Sequence, residues 1–115
     1  MKIEIYQVRN DISEKHDISF MNYAYVTKAI QAHGHTLKRD LKQYYEKKYE
    51  FEKDYSNHTN EEILDELFYT FNMERPDDFK GHSMSTSDIV VLDDEKMYFC
   101  DSYGWAEVEW EENYG

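Results

Sequence analysis

The chain has 115 residues and a formal net charge of −12, from 25 acidic and 13 basic side chains. This length fits a single domain, residues 1–115, with one modest core, and an aromatic share of 17% argues against a disordered chain. The negative charge disfavours binding to DNA, RNA or an anionic membrane. No apolar run approaches the ~20 residues of a membrane span, and Cys100 stands alone as a small core residue, so we expect a cytoplasmic protein without disulfides.

Three segments in the first half carry secondary-structure patterns. Residues 2–8 alternate polar and apolar side chains, which predicts a half-buried strand. Apolar side chains at helical spacing over residues 22–32 predict a helix, with Gly34 as its C-cap. The segment from Tyr44 to Phe51 fits a helix or a strand, and we favour a strand because the other strands need a partner.

The clearest helix begins at Thr59, which forms a capping box with Glu62, and ends before Pro76. We expect its apolar stripe to face the sheet, so that Phe68→Ala costs about 3 to 5 kcal/mol. The stripe consists of Ile63, Leu64, Leu67, Phe68 and Phe71.

Short strands follow in the last third of the chain. Residues 89–92 and 97–101 predict a hairpin across a polar turn from Asp93 to Lys96, and residues 105–110 alternate as an edge strand would. Together the elements predict an α+β fold, in which about two helices pack on a small, mainly antiparallel sheet.

The segment 88–115 is acidic and rich in aromatic residues, with nine carboxylates against one cation, Lys96. Such a run is commonly a solvated face that keeps a domain soluble. The alternative is a nucleic-acid mimic, because carboxylates attract cationic partners over long range while aromatic rings supply contact area. The partner-binding residues predicted on this alternative are Asp93, Asp94, Glu95, Tyr103, Trp105, Glu107, Glu109, Trp110, Glu111 and Glu112.

A polar loop before residue 89 contains every residue type of a Ser/His/Asp triad. His82 and Ser83 are adjacent, however, and no Gly-x-Ser-x-Gly elbow is present, so we predict no catalytic residue. We expect serine and aspartate side chains to bond the loop's own amides, and His82 to be a buried or capping group. The predicted structural residues are His82, Ser83, Ser85, Ser87, Asp88 and Asp101.

Metal and cofactor sites are not predicted. His33 and His35 are too few ligands for structural zinc, and the run Asp93 to Glu95 lacks the spacing of a calcium loop. No glycine-rich phosphate loop occurs.

Two long motifs resemble the YodL-like domain of large phage and conjugative-element proteins. The run FNMERPDDFKGHSMSTSDIVVL over residues 71–92 is similar to the family pattern FN…HPxDFxGHSLSVSDVVVL, and YFCDSYGW over residues 98–105 is similar to YYVDSFGF. Arg75 stands where the family commonly has histidine, and Tyr103 and Trp105 stand where it has phenylalanine. The opening Ile5-Tyr6-Gln7 and residues 17–23 also match. The resemblance implies a mobile-element origin and an accessory role, without a settled activity.

From charge and resemblance together we expect a counter-defence protein of the anti-CRISPR kind. It would be a DNA mimic that binds the basic nucleic-acid surface of a host nuclease and inhibits it. The alternative is a non-inhibitory protein–protein interaction module of a conjugative element or phage, and an enzyme is the weakest option. We expect no direct nucleic-acid binding, because the lysines and the arginine of residues 38–53 are interleaved with carboxylates.

Overall fold

The computed structural model of the chain describes residues 1–9, 20–32, 34, 43–102 and 104–108. The elements described within these ranges are, in chain order, β1 (Lys2–Val8), α1 (Tyr23–Gln31), β2 (Tyr45–Glu52), α2 (Asn60–Met73), β3 (Ile89–Leu92), β4 (Lys96–Asp101) and β5 (Gly104–Val108). The strands form a sheet of order β2-β1-β3-β4-β5, with every neighbouring pair antiparallel. This arrangement confirms the predicted α+β fold. Neither described helix has the length and apolar character that crossing a membrane requires.

The two helices cover opposite faces of the sheet. Val26 and Ile30 of α1 pack on one set of strand side chains, including Val91, while α2 packs on the alternate set, including Val90. Side chains that alternate along a strand therefore enter two different cores. This explains why β3 is apolar at all four positions, since both of its faces are buried.

The central strand β1 departs from its predicted half-buried state. It lies between β2 and β3, and Glu4 and Gln7 are only 5% and 0% exposed. Buried charge needs a partner, and Glu4 has Lys47 Nζ at 3.3 Å and Lys2 Nζ at 3.9 Å. The period-two pattern thus marked a strand correctly but not its burial.

The predicted capping box of α2 is present. Thr59 Oγ1 accepts from the Glu62 N–H at 3.1 Å, and Glu62 Oε1 accepts from the Thr59 N–H at 2.8 Å. The prediction that Phe68 faces the sheet is wrong, because its side chain is 42% exposed whereas Phe71 is 1% exposed. At about 100° per residue, Phe68 lies roughly 40° beyond the arc bounded by Ile63 and Leu64.

The remaining elements follow the predictions with local changes. The strand predicted from Tyr44 to Phe51 is present as β2, which begins at Tyr45 and ends at Glu52. The C-cap of α1 is Ala32 and not Gly34. Gly34 instead follows with a positive φ of 77° and donates its N–H to Gln31 O at 2.9 Å. At the end of the described chain β5 forms an edge of the sheet, and the predicted strand positions 109 and 110 lie outside the described residues.

Candidate functional site

The acidic turn between β3 and β4 has a structural explanation. Asp93 and Asp94 have φ angles of 54° and 58°, and the Glu95 N–H donates to Leu92 O at 3.0 Å, as a type I′ hairpin turn requires. Asp93 Oδ1 also accepts from the Lys2 backbone N–H at 2.7 Å, and Asp94 Oδ2 lies 3.3 Å from Lys2 Nζ. Three acids of this turn were predicted to bind a partner, Asp93, Asp94 and Glu95. The first two therefore close the hairpin and connect it to β1.

Strand β5 carries two further predicted binding residues. Trp105 lies opposite Cys100 and Glu107 lies opposite Tyr98, and Trp105 packs with the core on the α2 side of the sheet. Alternation places Glu107 on that same side, where its carboxylate pairs with Lys96 Nζ at 3.0 Å. The other predicted binding residues lie outside the described part of the chain: Tyr103, Glu109, Trp110, Glu111 and Glu112.

A cavity of about 370 Å³ opens between α2, the loop before β3 and the hairpin of β4 and β5. Of the residues that the structure describes, two with aromatic side chains line it, Phe68 from α2 and the half-buried Trp105 from β5. Buried Met84 and Cys100 also line it, and burial raises the pKa of the Cys100 thiol to about 12, which keeps it neutral and unreactive. The polar lining consists of Asp65, Ser85, Thr86, Asp101 and Ser102.

The rim of this cavity is acidic. Asp65 is exposed and forms no ion pair with any described residue. Asn60 Nδ2 donates to Tyr98 OH at 2.9 Å. This bond holds the first turn of α2 beside Tyr98 of β4, which lies opposite Glu107 of β5. The arrangement brings together what we term the α2–β5 surface, consisting of Glu61, Asp65, Phe68, Asp101, Trp105 and Glu107.

Sequence reasoning missed the contribution of α2 to this surface. The signal was present, because Glu61, Asp65 and Phe68 are spaced by four and then three residues, which places them on one side of a helix. Phe68 was instead counted with the core stripe, whose buried members already fill the face that packs on the sheet.

Gln7 of β1 contacts two residues of the polar loop, Gly81 by close packing and His82 by hydrogen bonds. Gln7 Nε2 donates to His82 O at 2.8 Å, and Gln7 Oε1 accepts from the His82 N–H at 3.1 Å. A Cβ added at Gly81 would collide with Gln7 Oε1 and lie 2.9 Å from Phe79 Cζ. Glycine at position 81 is therefore needed for the close approach between the loop and β1.

Asp88 is the most deeply buried acid of the loop, with 0% exposure. Its Oδ2 accepts from the Ser85 N–H and from Gln7 Nε2, both at 3.0 Å. Its Oδ1 and the buried Ser85 Oγ have no hydrogen-bond partner among the described residues. Burial raises the pKa of Asp88 to about 8, against an ordinary value of 3.8, despite these two bonds.

The serine side chains do not bond the loop's own amides, so that prediction is wrong for Ser85 and Ser87. Ser87 Oγ accepts from the Phe20 N–H at 2.9 Å, and Ser87 O accepts from Tyr45 OH at 2.7 Å. Asp101 Oδ1 accepts from the N–H of Tyr23, the first residue of α1, at 3.1 Å. These bonds fasten the loop and β4 to β2 and to the start of α1.

His82 is not buried, since its side chain is 39% exposed. Gln7 Nε2 already donates to His82 O and Asp88, so we assign the hydrogen of His82 Nδ1 to the 2.7 Å contact with Ser83 O. His82 Nε2 lies 3.9 Å from Asp88 Oδ1. Among the described residues no serine hydroxyl donates to His82. The residue types of a Ser/His/Asp triad are therefore close in sequence, but they do not form the hydrogen bonds of a triad.

No group of three or more metal-binding side chains occurs within the described ranges. His33 and His35 lie outside them.

Comparison with known proteins gives one family. No curated protein and no solved structure matches the chain. The family described as YodL-like domain matches residues 2–110, which is nearly the whole sequence. The motif residues of the loop, β4 and β1 all fall within that match, and the chain belongs to the YodL-like domain family.

Proposed function

We propose that this domain is a non-catalytic protein-binding module whose α2–β5 surface engages the basic nucleic-acid-binding surface of a host nuclease and inhibits it. The observation that carries the proposal is the meeting of two accessible aromatic side chains, Phe68 and Trp105, with the carboxylates of Asp65 and Asp101 around one cavity. Aromatic anchors within a polar rim are typical of protein interfaces.

Charge supports a basic partner. The domain carries −12 overall, and a surface lined with carboxylates attracts cationic proteins and accelerates their encounter. The pair of Glu107 with Lys96 does not oppose this, because each side chain is 54% exposed and solvent screens such a pair strongly. Glu107 can therefore exchange Lys96 for a cation of the partner at small cost.

The β3–β4 turn has a lesser role in this proposal. Asp93 and Asp94 are held by Lys2 and by the hairpin geometry, and the turn lies at the opposite end of β4 from the strand position facing Trp105. Its carboxylates add to the long-range field, which falls off over about 8 Å at physiological ionic strength.

Charge reversal tests the proposal. Asp65→Lys with Glu107→Lys changes the α2–β5 surface, and Glu52→Lys with Asp77→Lys is a control with the same change in net charge, at exposed positions outside that surface. Each protein is checked by circular dichroism and then assayed against a panel of purified nucleases with basic nucleic-acid channels, with a labelled duplex as competitor. We expect inhibition to weaken about tenfold or more in the first variant, with a flatter salt dependence, and to change little in the control.

The outcomes separate the proposal from its alternatives. Equal loss in both variants would show that net charge acts without a specific surface. A domain that binds a nuclease while the duplex stays bound would be a non-inhibitory interaction module. Full inhibition by the first variant would place the interface elsewhere, and the Lys-rich segment from Tyr44 to Tyr55 would be examined next.

A further inference from the structure

We infer that the cavity between Phe68 and Trp105 receives one arginine side chain of the partner protein. The inference rests on the proposed function, because a basic partner must supply that side chain. It goes further by assigning a specific receptor site within the α2–β5 surface.

The dimensions of the cavity suit one side chain. Its volume of about 370 Å³ lies at the low end of ligand pockets, which range over about 300 to 1,000 Å³. One wall comes from a helix and the other from a sheet edge strand, so the two rings are held by separate packed elements. Phe68 is 42% exposed although it neighbours the buried Leu67, so its ring is available to a ligand.

The chemistry of the lining selects a cation. Rings of phenylalanine and tryptophan attract a cation placed over their faces, and Asp65 supplies a carboxylate that no described cation neutralises. Asp101 adds negative charge, although its Oδ1 already accepts from the N–H groups of Tyr23 and Ser102. An anionic ligand would meet repulsion on this rim.

Arginine fits these groups better than lysine does. Its planar guanidinium stacks on an aromatic ring and can donate two parallel hydrogen bonds to one carboxylate. Lysine presents a compact and strongly hydrated charge, which loses more solvation on entering a cavity between two rings. A second copy of this chain is a poor occupant, because two molecules of charge −12 repel each other.

The test uses tryptophan fluorescence. The chain has two tryptophans, so Trp110→Phe leaves Trp105 as the sole reporter. The probe is the blocked peptide Gly-Gly-Arg-Gly-Gly, compared with versions that carry lysine or the neutral isostere citrulline. We expect a saturable change in emission with the arginine peptide, several-fold weaker binding with lysine and no saturable change with citrulline.

Matched variants in the Trp110→Phe background locate the binding. Phe68→Ala should weaken it about tenfold and Asp65→Asn about threefold, since tenfold corresponds to the contribution of one good contact. Tyr69→Ala and Glu52→Gln are the controls, because Tyr69 and Glu52 are exposed, do not line the cavity and lie outside the α2–β5 surface. Both should bind within about twofold of the parent.

Three results would overturn the inference. They are equal responses to arginine and citrulline, equal losses in Asp65→Asn and Glu52→Gln, and a dimer in sedimentation that Phe68→Ala dissociates. The arginine peptide could show no saturable binding while reversal of Asp65 and Glu107 still abolishes nuclease inhibition. In that case the proposed function stands, and only the assignment of the cavity as an arginine receptor is wrong.

Discussion

Asp88→Asn tests the protonation state of the buried carboxyl in the loop before β3. The native carboxyl is fully buried, and among the described residues its Oδ2 alone accepts hydrogen bonds, from Ser85 and Gln7. An asparagine can present its carbonyl oxygen to those two donors and stays neutral at every pH. The substitution therefore removes the titration of the buried group while retaining its shape.

The sign of the pH effect follows from the direction of the pKa change. Burial raises the pKa of Asp88 in the folded protein to about 8, from an ordinary value of 3.8. The folded state therefore retains a proton that the unfolded state releases, and stability falls as the pH rises from about 4 to about 8. Each pH unit in this window costs about 1.4 kcal/mol, so the loss between pH 5 and pH 8 is roughly 3 to 4 kcal/mol.

Denaturant unfolding of both proteins at pH 5 and pH 8 measures this loss. We expect wild type to lose the full amount, or about 12 to 17 °C in melting temperature for a domain near this size, and Asp88→Asn to lose much less. Asp65→Asn controls for the removal of one exposed carboxylate and should titrate like wild type. Parallel losses in wild type and Asp88→Asn would mean that Asp88 is ionised in the folded protein at neutral pH, which would refute the argument from burial.

Three further predictions concern the core, the loop and nucleic acid. Phe71→Ala should lower the free energy of unfolding by about 3 to 5 kcal/mol, because the buried ring of Phe71 packs 5.0 Å from the ring of Phe79. Phe68→Ala should lower it by less than about 1 kcal/mol. Similar losses for the two variants in denaturant unfolding would contradict the structure. Gly81→Ala should destabilise by about 1 to 3 kcal/mol through its collision with Gln7, and an unchanged melting temperature would count against the clamp. Gel-shift assays should show no micromolar binding to duplex DNA or RNA at physiological salt, since the domain carries −12.

The elements that sequence could predict are those defined by local interactions. The capping box of Thr59 and Glu62 identifies the start of α2 because both partners lie within one helical turn. The apolar run of β3 and the polar turn after it likewise identify a hairpin from neighbouring residues. Such signals depend little on the rest of the fold.

Burial could not be predicted in the same way, because it depends on distant pairing. Lys2 and Glu4 alternate with Ile3 and Ile5 as in a half-buried strand, yet β1 is central because β3, some 85 residues later, pairs with it. Gln7 is buried because the 81–88 loop folds back onto it. The local pattern of polar and apolar residues in β1 predicts neither the central position of the strand nor the burial of Gln7.

The candidate site shows the same division. Trp105 and Glu107 could be assigned to one side of β5 from alternation alone. Whether Phe68 and Asp65 lie beside these two residues depends on where α2 crosses the sheet. The stripe of apolar residues predicts which face of α2 packs on the sheet, but it does not predict the position at which the helix crosses. Phe68, which sequence reasoning assigned to the core, therefore belongs to the surface together with Asp65.

Two groups of acidic residues can be separated in the part of the chain that the structure describes, and the separation bears on how a nucleic-acid mimic could be built. Asp88 and Asp93 accept backbone N–H groups, so their charge is committed to holding loops. Asp101 also accepts such bonds through Oδ1, and therefore adds only negative charge to the α2–β5 surface. Asp65 has no such bond within the described chain, and Glu107 holds only an exposed lysine. An interface that formed through the first group would have to sacrifice hydrogen bonds of the fold, whereas one that forms through Asp65 and Glu107 exchanges solvent and one weak ion pair for partner contacts. The energetics therefore favour binding at the α2–β5 surface over binding at the β3–β4 turn.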